Sequence, residues 1–174
     1  VNSGSFNIDH GVGVRAISGD KTAFPYSDVI SAEALLKAAN ATRVIGPKGG
    51  KVKLRNPIIG QSHLSTSLYS HLNPLDSLKP PEKIALLEQI ERRAKARDPR
   101  IIQVMASLAG EFDVVLVARA NGLMAADIRP LVRVSVHVIA EQNGRRESGS
   151  AGGGARTDYG FFSAERIHQW VDEA

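Results

Sequence analysis

The stretch from Ile101 to Arg156 constrains the fold more than any other part of the chain. In it, segments in which apolar and polar residues alternate are separated by turn signals. One side of a strand would carry Val132, Val134, Val136 and Val138, and the other Arg133, Ser135 and His137. The turn signals are Gly110-Glu111, Asn121-Gly122 and Asn143-Gly144, which suit the type II′ and type I′ turns of antiparallel hairpins. The pattern predicts an antiparallel meander with one packed face and one polar face.

These turn signals divide the meander into four predicted strands, at about 100–109, 112–119, 123–141 and 145–150. Pro130 is expected to split the third strand at a bend or bulge, because proline cannot donate to a central ladder. The segment SGSAGGGAR that follows is expected to be a flexible or tightly turning loop. A phosphate-binding loop would need a following Lys-Ser/Thr pair, which the sequence does not have.

A smaller meander and three helices complete the predicted fold. The sequence pattern of residues 3–27 predicts three short strands, with a turn at Gly19-Asp20 that has glycine at its first central position. Helices are predicted over 31–41, 80–97 and 163–174, where Ser31 and Ser163 are candidate N-caps and prolines open the second helix. The fold class is therefore α+β, with meander sheets of about three and four strands and two to three packed helices. Residues 1–150 are expected to form one α+β domain, and 151–174 a Gly-rich linker and the start of a helix.

The irregular segment 43–78 holds a group of basic residues, Lys48, Lys51, Lys53 and Arg55. The last three would lie on one side of an extended segment, as a phosphate or nucleic-acid contact requires, but no aromatic residues interleave to stack bases. The formal net charge of +4 is only a mild excess. We favour a solvated loop, and keep a stand-alone interaction module with a weak nucleic-acid-binding surface as the alternative.

The residues taken alone specify no reaction. The absence of cysteine removes disulfides and thiolate ligands from this chain and fits a cytoplasmic location. No two histidines lie four apart on a helix, and no GxSxG nucleophile motif occurs. The Gly11-Val12-Gly13 pattern lacks the third glycine and the helix of a dinucleotide site. His137, near Arg133 and Asp127, is a candidate substrate-facing group, with an ordinary surface or hydrogen-bonded histidine as the alternative.

Several stretches, in order along the chain, resemble the N-terminal half of the TldD/PmbA family, and its TldD branch in particular. Members of that family are metallopeptidases that are also called modulators of DNA gyrase. The stretches are SGSFNIDHGVGVRAISGDKTAFPYSD (3–28), HLNPLDS (71–77), VMASLAG (104–110), AADIRPLVRVSV (125–136) and GRRESGSAGGGAR with DYGFF (144–162).

The resemblance implies an N-terminal α/β domain followed by a β-rich domain that holds zinc through an HExxxH helix and a downstream cysteine. Neither feature occurs in this sequence, so the chain is expected to bind no cofactor and to be inert alone. A first residue other than Met, and an end inside a predicted helix, fit a fragment that leads to a missing metal domain. The full-length protein is expected to hydrolyse peptide bonds in extended or unfolded peptides, as in peptide maturation.

The same resemblance implies the partners. They are a peptide substrate and a PmbA-like (TldE-like) subunit or a second copy in a dimer. From the residues themselves, no membrane partner is expected because no apolar run is long enough to span a bilayer, and a nucleic-acid partner is disfavoured because the basic excess is mild. Candidates for peptide or interdomain contacts are Arg133, His137, Arg145, Arg146 and Arg156. The alternative for each is an ordinary exposed residue.

Overall fold

The computed structural model describes residues 3–46 and 68–174, which belong to two compact units, Val1–Arg55 and Asn56–Ala174. The basic residues Lys48, Lys51, Lys53 and Arg55, together with His63, lie outside the described residues. In the part of the chain that is described, no helix is long and apolar enough to cross a membrane.

The first unit consists of short strands and one helix. Its elements are β1 (Val12–Gly13), β2 (Ala16–Ser18), β3 (Lys21–Ala23), β4 (Tyr26–Ser27), α1 (Ala32–Thr42) and a 3-10 turn at Arg43–Ile45. The strands form two separate ladders, β1 with β4 and β2 with β3, where the sequence predicted one meander of three strands. The predicted turn at Gly19 is confirmed, with a φ of 61° that favours glycine. The predicted cap is also confirmed, since the Ser31 hydroxyl accepts from the Ala34 N–H at 3.1 Å.

The second unit is a three-stranded antiparallel sheet with two helices. It contains a 3-10 turn at Pro74–Asp76, α2 (Pro80–Arg97), β5 (Ile101–Ala118), β6 (Met124–Gln142), β7 (Arg145–Ala155), a 3-10 turn at Tyr159–Phe161 and α3 (Ala164–Glu173). The sheet order is β5-β6-β7. The α+β class is thus confirmed, although this sheet has three long strands rather than the predicted four.

The missing turn is the one predicted at Gly110. This residue lies inside β5, paired with Val132 on β6. A Cβ there would meet the hydroxyl of Tyr159 and, at 2.7 Å, a methyl group of Leu75. The glycine is therefore required for close packing above the sheet and does not turn the chain.

The bend predicted at Pro130 is also absent. β6 runs straight through this residue, which pairs with Phe112, and the irregularity in the ladder lies instead between Ile101 and Gln103. β7 pairs with β6 only from Val132 onwards, so among the strands of the described residues β6 is an edge strand at Pro130. Proline is tolerated at such an edge because no neighbouring strand needs its N–H.

The Gly-rich segment, predicted as a loop, forms most of β7, from Ser148 to the end of the strand at Ala155. A Cβ on Gly153 would meet the indole of Trp170 at 2.5 Å, and one on Gly149 would meet the carbonyl oxygen of Ala174. These glycines let α3 pack directly on the backbone of β7. The Asn143-Gly144 turn before β7 is confirmed, because both residues have positive φ values of 52° and 78° as a type I′ turn requires.

The core lies between the sheet and the two helices. The predicted apolar face of β6 is confirmed, since Val132, Val134, Val136 and Val138 are all buried. They pack with Ile90 and Ala94 of α2, Ile167 and Val171 of α3, and the aromatic residues Tyr159 and Phe162. Burying one such valine or isoleucine side chain contributes about 1.5–3 kcal/mol, so this layer holds the second unit together.

Candidate interaction surface

The face of the sheet opposite to the core, called the outer face here, carries two of the predicted contact residues. Arg133 lies between Ala109 on β5 and Gly154 on β7, and His137 lies between Met105 and Ser150. They share this face because they are four residues apart on one strand. Arg133 is exposed, whereas His137 is half-buried.

The surface around Arg133 is open because its neighbours on β7 lack side chains. Gly154 is directly opposite Arg133, and Gly152 is opposite Ser135. Gly152 has a φ of 155°, and a Cβ on it would meet the carbonyl oxygen of Val134. This part of β7 therefore exposes backbone beside a cationic side chain.

Arg133 forms no ion pair with any of the described residues, so its guanidinium can bind a carboxylate or a backbone carbonyl of another molecule. His137 likewise has no hydrogen-bonding side-chain partner within the described ranges. Asp127, expected near His137, instead lies opposite Val115 and forms an ion pair with Arg129 at 2.6 Å. Within residues 3–46 and 68–174, therefore, no carboxylate orients His137 as one orients a catalytic histidine.

Arg129 is an outer-face residue that the sequence reasoning missed. It lies four residues before Arg133 on β6, so the same alternation that placed Arg133 would have found it. The hydrogen bond from its side chain to Asp127, together with the charge of that carboxylate, raises the pKa of Arg129. Since Asp127 already neutralises it, Arg129 adds less to the positive potential of the outer face than Arg133 does.

Arg156 lies just beyond the end of β7, where its guanidinium stacks over the ring of Tyr69 at 5.6 Å from the ring centre. Such a contact positions the cation without neutralising it. No sequence signal linked residues so distant along the chain. Arg156 therefore remains able to bind an anionic group near the same end of the sheet as Arg133.

Arg145 and Arg146 lie at the other end of β7, beside the turn from β6. Arg145 forms an ion pair with Glu147, and Arg146 forms one with Glu141, both at 2.6 Å. The structure therefore does not bring them together with Arg133 and Arg156. The charges of both arginines are balanced by neighbouring carboxylates, which is an ordinary arrangement of surface residues.

The described residues do not fit a metal ion. In ranges 3–46 and 68–174 no three histidine, aspartate or glutamate side chains come together as possible ligands. The chain has no cysteine to supply a thiolate. The outer face, as described, can therefore bind another molecule through charged groups and hydrogen bonds.

Two family domains match the chain in its two parts. The PmbA/TldA metallopeptidase domain 1 matches residues 1–45, and the PmbA/TldA metallopeptidase central domain matches residues 73–174. The second match alone covers more than half of the chain.

Curated relatives and a solved structure agree with this assignment. The chain is 40% identical to a metalloprotease TldD homologue of Buchnera aphidicola from Schizaphis graminum, over 100% of this chain and 37% of the relative. It is 43% identical to the homologue of Haemophilus influenzae, over 93% of this chain and 33% of the relative.

A crystal structure from Thermotoga maritima, described as a candidate modulator of a DNA gyrase, has the same fold. It superposes with a TM-score of 0.67 at 18% identity, over 95% of this chain and 37% of that one. The chain thus spans little more than a third of the length of these proteins. The matched domains and the identities above show that the chain belongs to the PmbA/TldD family of metallopeptidases.

Proposed function

We propose that this chain is the non-catalytic N-terminal part of a TldD-like zinc peptidase that hydrolyses peptide bonds in extended or unfolded peptides. The observation that carries the proposal is the match of domain 1 and the central domain, in order, to residues 1–45 and 73–174. A cytoplasmic location belongs to the same proposal, since the chain has no cysteine.

Within this proposal the metal is bound by residues beyond the region that this chain shares with its relatives. When bound there, zinc would supply a Lewis acid for the peptide carbonyl and for a water molecule, and the glutamate of an HExxxH motif would be the general base. The residues of this chain have a different task. They form a rigid sheet whose outer face binds and orients an extended peptide or the neighbouring domain.

Arg133 is the residue best placed for that contact. It is exposed, it has no ion-pair partner among the described residues, and it lies beside the bare backbone of Gly152 and Gly154. An extended peptide can approach closely over glycine, and its carboxylates or carbonyls can accept hydrogen bonds from the guanidinium. Arg156, which keeps its charge while stacked on Tyr69, is the second cation available to the same ligand. A PmbA-like partner subunit that encloses the peptide is part of the same proposal.

The test compares the complete polypeptide with the 174-residue chain on a fluorogenic extended peptide. We expect hydrolysis by the complete protein that a zinc chelator abolishes, and none by the chain alone. Hydrolysis by the chain alone, or a complete protein that is inactive with and without a PmbA-like subunit, would contradict the proposal.

The contact residues are tested in the complete protein. Arg133→Ala is expected to raise KM for an acidic extended peptide about 10-fold with kcat nearly unchanged, because a binding interaction worth about 1.4 kcal/mol is lost. The matched control is Arg145→Ala, which removes an exposed arginine that is already paired with Glu147. Equal effects of the two substitutions would show that Arg133 has no special part in binding.

A further inference from the structure

The four short strands of the first unit lie in one hairpin. The ladder of β1 with β4 and the ladder of β2 with β3 have the same register. Between the two ladders, the Val14 N–H donates to the Pro25 carbonyl at 3.0 Å. Residues 11–28 therefore run as a single antiparallel hairpin around the turn at Gly19.

One face of this hairpin is exposed along its whole length. Successive residues of a strand point to opposite faces, so every second residue belongs to this face. The members of this face are all exposed, and they are Gly11, Gly13, Arg15, Ile17, Thr22, Phe24, Tyr26 and Asp28. The residues of the opposite face are mostly half-buried. The hairpin thus packs through one face and presents the other.

A groove of about 400 Å³, called the hairpin groove here, lies on the exposed face beside Gly11 and Gly13. A Cβ on Gly13 would meet the ring of Phe24 at 2.7 Å, and one on Gly11 would meet the Ser27 carbonyl oxygen at 2.9 Å. The two glycines therefore leave bare backbone as the floor of the groove and let the Phe24 ring lie over it. This is a structural reason for the Gly11-Val12-Gly13 pattern, which lacks the other features of a dinucleotide site.

The wall of the groove is formed by two aromatic rings and a carboxylate. Phe24 is 61% exposed and Tyr26 82%. Asp28, the next residue on the same face, forms no ion pair with any of the described residues. His10 completes the lining. Arg15 lies opposite Phe24, four residues and about 13 Å along the strand from Asp28, so it does not neutralise that carboxylate.

We propose that the hairpin groove binds the cationic side chain of a lysine or arginine in an extended peptide. The face of an aromatic ring attracts a cation, and Tyr26 offers its ring next to the unpaired carboxylate of Asp28. The alkyl stem of the same side chain can lie along the apolar wall formed by Phe24. The groove is open to solvent, and the bare glycine backbone lets the main chain of the peptide pass close to it.

The expected affinity is low, because cation–π contacts and ion pairs are weak where water reaches them. We expect a Kd on the order of 1–10 mM for a short peptide with one cationic side chain. The groove is therefore a subsite that adds to the affinity of a longer peptide held at other points. This inference does not rest on the peptidase assignment, because the preference of the groove is a property of this chain alone.

The experiment is an NMR titration of the 174-residue chain with blocked pentapeptides that have one central lysine among alanines. The lysine peptide, added to about 30 mM, is expected to shift the amide signals of Gly11 and Gly13. The matched peptides carry norleucine, an alkyl chain without the charge, or glutamate at the centre. Norleucine is expected to bind at least 5-fold more weakly, and glutamate to give no saturable shift.

Variants of the wall test which groups bind the cation. Tyr26→Leu and Asp28→Asn are each expected to weaken binding of the lysine peptide at least 3-fold, whereas Tyr26→Phe keeps a ring and should change it less than 2-fold. The matched control is Asp20→Asn, which removes an exposed carboxylate from the turn of the same hairpin and should have no effect. The amide spectrum of each variant shows whether the hairpin is folded.

The comparison of the three peptides on the wild-type chain needs no variant, so a folding defect cannot mask the result. Unshifted Gly11 and Gly13 amides at about 30 mM lysine peptide would overturn the proposal. Equal binding of the lysine and norleucine peptides would overturn it too, since the groove would then be merely apolar. Equal effects of Asp28→Asn and Asp20→Asn would also contradict it, because the carboxylate in the wall would then have no special part.

Discussion

At the scale of single residues, Asp98 and Arg100 of the second unit form an ion pair with several hydrogen bonds. The carboxylate of Asp98 accepts from the Arg100 guanidinium at 2.6 and 2.9 Å and from the Arg100 backbone N–H at 2.9 Å. These hydrogen bonds, the side-chain ones first, lower the pKa of Asp98 to about 2. The pair lies between α2 and β5, where it fixes the short connection.

We expect carbon-detected NMR to give a titration midpoint for Asp98 near 2, and Arg100→Gln to return it towards the ordinary value of about 3.9. Because the folded pKa is depressed, the stability from this pair is present above about pH 4 and lost as the pH falls through the folded pKa. The free-energy difference between wild type and Arg100→Gln should therefore shrink between pH 4 and pH 2. The control is Arg146→Gln, which removes the partner of Glu141 instead and should leave Asp98 unchanged.

Gly110 and Tyr159 form a second testable contact at this scale. Gly110→Ala is expected to destabilise the chain by about 1–3 kcal/mol in urea unfolding, because the new methyl group overlaps the Tyr159 hydroxyl. Tyr159→Phe removes that hydroxyl, so the double variant should lose less stability than the sum of the single changes. Gly4→Ala, where a Cβ meets no atom within 4 Å, is the control for an unhindered glycine. Additive effects of Gly110→Ala and Tyr159→Phe would contradict the contact.

At the scale of secondary-structure elements, α3 is seated on the glycines of β7. Gly153→Ala is expected to push Trp170 outwards, lower stability by about 1–3 kcal/mol and shift the indole fluorescence to longer wavelength. Trp170 is the only tryptophan, so the signal reports this contact alone. Ser150→Ala, on the opposite face of the same strand, should change stability by less than about 0.5 kcal/mol and leave the emission unchanged. An unshifted spectrum for Gly153→Ala would mean that α3 does not rest on this strand.

Elements with a strong local pattern were predictable from the sequence. The alternation from Val132 to Val138 identified the buried face of β6, and the prolines at Pro80 and Pro81 placed the start of α2. The packing role of the glycines in β5 and β7 was not predictable, because the residues that they contact are distant in sequence. A glycine that makes room for Tyr159 or Trp170 has the same local signature as a glycine in a turn.

The candidate surface was predictable to the same extent. Strand alternation placed Arg133 and His137 on one face, whereas the pairing of Arg146 with Glu141 depends on how β6 and β7 pair across the hairpin. The stacking of Arg156 on Tyr69 depends on the path of the chain through space. The positions of the arginines in the sequence therefore did not show which of them pair with a carboxylate among the described residues.

At the scale of the whole molecule, the two units differ in how much apolar surface they bury. Among the described residues of the first unit only Ala38 is a buried hydrophobic residue, and large residues such as Phe6, Tyr26 and Val44 are 75%, 82% and 87% exposed. The second unit has the whole of the cluster around Ile90 and Ile167. We expect amides of β2 and β3 to exchange at least 10-fold faster than those of β6 between Val132 and Val138. Equal protection in both units would show that the first unit has a stability that its burial does not explain.

We propose that this chain is the metal-free scaffold of a TldD-like metallopeptidase. The most direct test is the zinc content, measured by mass spectrometry, of the complete polypeptide and of the 174-residue chain purified in the same way. We expect about one zinc per complete protein and less than about 0.1 per 174-residue chain, since the described residues offer no three-ligand cluster. Stoichiometric zinc in the 174-residue chain, or none in the complete protein, would contradict it.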